Sequence, residues 1–155
     1  MKLKLIWTGK ISEPPLKQLA DRYEQRIRQY LPLEIVEVRP EKSRSRSDGE
    51  IIGMESQRLI EALPAQGKVV AMDERGKEMS STELAGWLEK ETVHNPHGVA
   101  FVMGGDLGLS DEIRSRAGLV LALSQMTLPH ELARVVLLEQ LYRACTIIRN
   151  IPYHK

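Results

Sequence analysis

The sequence predicts an α/β fold: a single domain over residues 1–155, built on a mostly parallel sheet with helices on both faces. Strand-like and helix-like segments alternate along the chain. Two strand-like runs, 99–103 and 119–123, are apolar and uncharged, as strands covered on both faces are. A chain of 155 residues, 42% hydrophobic and 28% charged, suits one domain with a sizeable core.

Residues 3–7 form the first strand; Lys4 interrupts the apolar run and Gly9-Lys10 end it too early for a signal peptide. Residues 14–30 follow as a helix, with Pro14-Pro15 near its start, where a missing N–H does little harm. In the strand 33–39, Leu33, Ile35 and Glu37 share one face and Glu34, Val36 and Val38 the other, with Glu37 spoiling a clean alternation. The low-complexity piece 41–49 is a solvated loop. A helix over 50–63 stops before Pro64, and 69–72 is a short buried strand. Ser80-Ser81-Thr82-Glu83 matches a capping box, opening a helix that carries Trp87 and Leu88 and ends by Asn95-Pro96. After strand 99–103, Ser110 caps a helix whose first turn holds Asp111 and Glu112, which suit its positive end. Strand 119–123 leads into the last helix, 129–150.

The net charge of +1 does not by itself predict nucleic-acid binding, so any basic surface is local or assembled from two subunits. The single cysteine, Cys145, forms no internal disulfide and fits a reducing, cytoplasmic setting. No apolar run approaches ~20 residues, so no membrane partner is expected. No metal is expected either.

Two loops stand out, each following a strand and opening a helix. The first is Gly104-Gly105-Asp106-Leu107-Gly108. Its spacing is not that of a dinucleotide fingerprint, no carboxylate stands some 20 residues on, and no Gly-Lys-Ser/Thr follows for a P-loop. The glycines permit close backbone approach to a ligand, against the plainer reading of a tight turn. The second is Ser124-Gln125-Met126-Thr127-Leu128-Pro129-His130, with Thr127 as a candidate N-cap and Pro129 in the first turn. Loops at the carboxyl ends of strands in an open α/β sheet predict one shared ligand pocket.

The last helix is apolar almost all round, which predicts burial on every side and a homodimer through this helix. Arg143 follows Glu139 by four residues and Arg134 follows Glu131 by three, both read as intrahelical ion pairs. The tail Asn150-Ile151-Pro152-Tyr153-His154-Lys155 is either frayed or a base-stacking and phosphate-contacting element. The run 42–46 is a solvated loop that would also supply phosphate contacts.

Taken together, Gly104-Gly105, Gly108-Leu109-Ser110, Thr127-Leu128-Pro129-His130, Leu141-Tyr142-Arg143-Ala144 and Pro152-Tyr153-His154 resemble a known family along essentially the whole chain. It is the small SPOUT-class methyltransferases of bacteria that modify a pseudouridine in large-subunit ribosomal RNA, the RlmH family. The resemblance implies a C-terminal deep trefoil knot, S-adenosylmethionine as cofactor, and a homodimer with the RNA site shared between subunits. It implies Met72, Gly104, Gly105 and Ser124, Gln125, Met126, Thr127, Leu128 and Pro129 around the cofactor. It implies His130, Arg143, Tyr153 and His154 near the substrate. His154, or else His130, would take the N3 proton of the target base, Arg143 would stabilise charge on the neighbouring carbonyls, and Tyr153 would orient the base. Two departures stand out: Asp106-Leu107 replaces a Pro-Glu-like pair, and Gln125-Met126 replaces a small apolar pair. The Asp106 carboxylate is placed to alter affinity for the cationic sulfonium. Competing readings are a non-catalytic RNA- or ribosome-binding factor, a nucleotide-binding oxidoreductase, and a methyltransferase acting on transfer RNA. The target nucleotide and the need for an assembled ribosome stay open.

Overall fold

A computed structural model describes residues 1–155. Five strands, β1 (Leu3–Thr8), β2 (Leu33–Val38), β3 (Lys68–Glu78), β4 (Val99–Met103) and β5 (Leu119–Ala122), form one sheet in the order β2-β1-β4-β3-β5. Every strand pair is parallel. The helices are α1 (Pro14–Arg28), α2 (Asp48–Ala62), α3 (Ser81–His94), α4 (Asp111–Arg116) and α5 (His130–Ile148). On one side α5 packs between α1 and α3; on the other α4 packs against α2. No helix is long and apolar enough to cross a membrane.

The strand period explains the two layers of core. In β1, Leu3, Leu5 and Trp7 face the core shared with α1, α3 and α5, while Ile6 faces the core shared with α2 and α4. The alternate Lys4 turns its ammonium to the Ala62 carbonyl at 2.8 Å, which ends α2 on a hydrogen bond. Trp87 of α3 meets Phe101 of β4 edge-on at 6.2 Å between ring centroids. Cys145 is buried in α5, and burial pushes its thiol up to about 11, so it acts as a small apolar side chain.

Four features differ from the sequence expectation for identifiable reasons. Helix α2 begins inside the expected loop 41–49, because Ser47 accepts from the Glu50 amide and Glu50 accepts from the Ser47 amide, a full capping box. Strand β3 runs six residues past Met72 through a charged stretch, because β5 pairs with that stretch as well as with the apolar half. Leu121 meets both Met72 and Lys77, so residues 73–76 arch over the end of β5. Strand β5 lies at the sheet edge and is only half covered, against the expectation of a fully buried strand. Thr127 is not the N-cap of α5; Pro129 occupies that position without a side-chain cap, and the Thr127 hydroxyl donates to Glu74 at 2.6 Å.

Beside the start of three strands, Gly98 adopts φ +89°, and a Cβ there would stand 2.2 Å from the Lys2 carbonyl oxygen. The close approach lets the Val99 amide reach Lys2 O and the Gly98 carbonyl accept from Lys68 N. Gly98→Ala is expected to cost about 2–4 kcal/mol, read from the urea midpoint of unfolding.

Candidate functional site

At the carboxyl ends of β3, β4 and β5 the two loops meet around a cleft of about 940 Å³. Gly104 and Gly105 open one wall, where a Cβ at Gly104 would lie 2.3 Å from the Gly108 carbonyl oxygen. Only glycine fits that hairpin-like turn, which closes with Gly108 N donating to Gly105 O at 3.1 Å. The other wall is the segment from Ser124 to His130. The Ser124 hydroxyl accepts from the Met126 amide at 2.9 Å, whereas the amides of Ser124, Gln125, Thr127 and Leu128 find no acceptor within the chain. Met72, Met103, Leu109, Leu121 and Leu123 give the floor its apolar surface.

Of the expected cofactor residues, Met72, Gly104, Gly105, Ser124, Met126, Thr127, Leu128 and Pro129 line the cleft. Gln125 does not; its side-chain amide turns away to donate to Glu78 at 3.0 Å. His130 also lines the cleft, and its Nδ1 lies 2.6 Å from Asp106 Oδ1 across the mouth.

Arg143, Tyr153 and His154 form a second cluster, outside the cleft. The Tyr153 hydroxyl donates to Glu139 Oε1 at 3.0 Å, and Arg143 Nε donates to the same oxygen at 3.0 Å. The guanidinium lies 4.6 Å from the centre of the Tyr153 ring, and Arg143 Nη1 stands 3.4 Å from His154 Nδ1. Burial first, then hydrogen bonding, raises the Tyr153 phenol well above its usual range, so it remains a donor at neutral pH. The tail is not frayed: Asn150 takes φ 53°, the Ile151 amide bonds to Thr146 O, and Tyr153 packs edge-on against Tyr142 at 4.8 Å. Arg143 lies thirteen positions after His130, a rise of about 20 Å along α5.

Sequence reasoning missed several groups. Glu139 organises the tail cluster and was read only as a partner of Arg143. Arg134 does not pair with Glu131 on the helix surface. It is fully buried, its guanidinium donates to the Thr8 and Gly9 carbonyls, and it lies 5.4 Å from the Trp7 ring centre. Glu131 instead accepts from Ser12 Oγ at 2.9 Å and from the Glu13 amide at 3.1 Å, capping α1 from another element. Asp73, Glu74 and Arg75 also line the cleft, hidden from sequence because the charged end of β3 reads as loop, and Arg114 of α4 reaches it as well.

Asp73 accepts from Arg75 Nε at 3.0 Å and from Arg114 Nη1 at 2.8 Å, while Arg114 also donates to the Leu109 carbonyl at 2.7 Å. The Arg75 hydrogen bonds, with help from Arg114, hold the Asp73 carboxyl at about 2 against a usual 3.8. A lowered folded-state value stabilises the fold above about pH 4, and this stabilisation is lost as pH falls toward 2. Allowing for solvent screening around exposed Arg75, wild type should exceed Asp73→Asn by about 1–2 kcal/mol at pH 7. Urea titrations at several pH values should show that margin shrinking below pH 4; a margin independent of pH would overturn the assignment.

A family model described as "Predicted SPOUT methyltransferase" matches residues 1–154. The chain is 46% identical over 154 residues to the Ribosomal RNA large subunit methyltransferase H of Trichlorobacter lovleyi, covering 99% of each. It is 44% identical over 155 residues to the protein of that name from Syntrophotalea carbinolica, again covering 99% of each. Among solved structures, a probable methyltransferase from Bordetella pertussis Tohama I superposes with TM-score 0.59 at 20% identity, covering 93% of this chain and 96% of that one. A probable methylase family protein from Haemophilus influenzae Rd KW20 gives TM-score 0.55 at 15% identity, covering 99% of this chain and 70% of that one, so the shared fold extends beyond close relatives. A parallel α/β sheet with a loop-walled cleft at its carboxyl edge, matched end to end by these relatives, places the chain in the SPOUT methyltransferase family, within its large-subunit ribosomal RNA methyltransferase H (RlmH) branch.

Proposed function

We propose that the protein uses S-adenosylmethionine to methylate N3 of a pseudouridine in 23S ribosomal RNA, on the assembled ribosome and hence in the cytoplasm. The observation that carries this reading is the cleft, in a chain whose full length matches ribosomal RNA methyltransferases. Its residues fit the cofactor. The apolar floor suits the faces of a purine and a ribose, and the free amides of Ser124, Gln125, Thr127 and Leu128 suit ring nitrogens and a carboxylate. The arch of residues 73–76 over β5, with α4 and α5 on opposite faces, supports a trefoil knot as the way the chain holds this loop.

When bound, the cofactor supplies a methyl group already activated on a sulfonium. The protein must position the acceptor and remove the N3 proton. A carboxylate only accepts, so the Asp106 contact keeps the proton on His130 Nδ1 and leaves Nε2 as a base. A guanidinium only donates, so the Arg143 contact makes His154 Nδ1 the acceptor and puts its proton on Nε2. The arrangement therefore favours His130 as proton acceptor, against the first expectation of His154. His154 and Arg143 become donors to the carbonyl oxygens on which negative charge grows. Tyr153, held by Glu139 and Tyr142, offers a ring face for the target base.

A helix rise of about 20 Å keeps the tail of one chain from its own cleft. A homodimer through α5 resolves this, with the tail of one subunit completing the cleft of the other. Leu132, Val136 and Tyr142 leave apolar surface on α5 for such a contact, although α1, α3 and the sheet already cover most of the helix. The exposed Lys42, Arg44 and Arg46 are available for phosphate contacts.

Arg143→Ala and His154→Ala should each lower methyl transfer to ribosomes at least about 100-fold. Calorimetric affinity for S-adenosylmethionine should stay within about twofold, since neither residue lines the cleft. Mixing equal amounts of inactive Arg143→Ala and His130→Ala chains, with subunit exchange, should restore about a quarter of wild-type activity through heterodimers with one intact site. No recovery would place both groups in the site of a single subunit.

A further inference from the structure

We propose that Glu74 and Asp106 make the cleft select its ligand by charge, favouring a cationic sulfonium over the neutral thioether that remains after methyl transfer. The inference rests on the cofactor reading above.

Three carboxylates and two guanidiniums line the cleft: Asp73, Glu74 and Asp106 against Arg75 and Arg114. Asp73 pairs with both guanidiniums at 2.8–3.0 Å, and Asp111 gives Arg114 a second carboxylate, so two carboxylates balance the two guanidiniums. Glu74 is left with only the Thr127 hydroxyl at 2.6 Å, and Asp106 with only the His130 imidazole at 2.6 Å. A hydroxyl carries no formal charge, and neither does an imidazole that donates Nδ1–H in its neutral form. Neither carboxylate is therefore ion-paired to a lysine or an arginine. Each belongs to a different wall of the same cleft, one on the arch of β3 and one on the glycine turn, so their fields add where a ligand would lie. Both carboxylates are exposed, so water screens them and their pull on a ligand is modest.

The donor carries a sulfonium, an α-ammonium and an α-carboxylate, for a net charge of +1. Once the methyl group has left, the sulfur is an uncharged thioether and the net charge is zero. The cleft then loses its attraction for the used cofactor at the step where release is wanted. One net charge felt at roughly 6–8 Å in this setting corresponds to a ratio of about threefold to tenfold in affinity.

The test uses full-length protein and calorimetry at pH 8 with three probes: S-adenosylmethionine, S-adenosylhomocysteine, and sinefungin, which carries an amine in place of the sulfonium. Wild type should bind the two cationic probes about threefold to tenfold more tightly than S-adenosylhomocysteine. In Glu74→Gln and Asp106→Asn, both exposed and checked for folding by thermal melting, that ratio should fall toward one while S-adenosylhomocysteine affinity holds. Raising the salt from about 50 to 500 mM should erode the ratio in wild type and leave the double variant unmoved. Cofactor binding with a ratio that neither substitution changes would overturn the charge selection alone. Failure of all three probes to bind would overturn the cofactor reading and this inference with it.

Discussion

A guanidinium with no exposed surface fixes the geometry on which the cleft depends. Removing the Arg134 cation from water costs several kcal/mol unless acceptors replace the lost hydration. The carbonyls of Thr8 and Gly9, at the very end of β1, do so for Nη2 and Nη1, and the Trp7 ring adds its face, while Nε stays without a partner. Desolvation lowers the Arg134 affinity for its proton, and the nearby charges of Glu131, Glu37 and Asp106 oppose that shift. The cost of leaving this arrangement is what holds α5 in one register over the sheet. Ala133, its sequence neighbour, and His130, one turn earlier, line the cleft because Arg134 cannot move.

Glu131 makes the same junction from the other side. The start of α1 has no side-chain cap of its own at Glu13, so its free amides would be left bare. The carboxylate of α5 reaches the Ser12 and Glu13 amides and closes that end. Two residues three apart on one helix thus serve two different elements, and the loop between β1 and α1 is clamped between them. Neither contact is visible in the spacing of Glu131 and Arg134, which by itself describes a surface ion pair. Local sequence reports which groups are within reach along a helix; it does not report that a strand end will offer better acceptors.

The same distinction separates what was legible from what was not. The apolar runs of β1 and β4, the capping box of Ser80 and the N-cap of Ser110 are local signals, and they set strand and helix positions to within a residue or two. The Ser47–Glu50 box was equally local and equally readable, yet its serine-arginine surroundings disguised it as loop. The charged half of β3 carried no such signal. Asp73, Glu74 and Arg75 look like solvated residues until β5 arrives some forty residues later and pairs beneath them. The glycine turn with its Asp106 and the Ser124–His130 loop are legible as a pair, but not the Asp73 and Glu74 carboxylates facing them. For that reason the candidate site is half readable: its backbone walls and Asp106 are, and the charge carried by β3 is not.

Helix α5 then divides the chemistry between its ends. Its first turn is pinned into the cleft, and its last turn carries the Glu139–Arg143–Tyr153 cluster with His154. A rigid rod of nineteen residues keeps these two groups apart in any one chain. Each cluster is also internally satisfied: Asp106 fixes one imidazole, and Glu139 fixes the guanidinium that fixes the other. Such pre-set side chains gain nothing by collapsing on each other and are ready for a surface that approaches from outside. A site built this way spends its ordering cost on folding rather than on binding. Under the proposed dimer, a second copy of the helix brings the opposite end within reach.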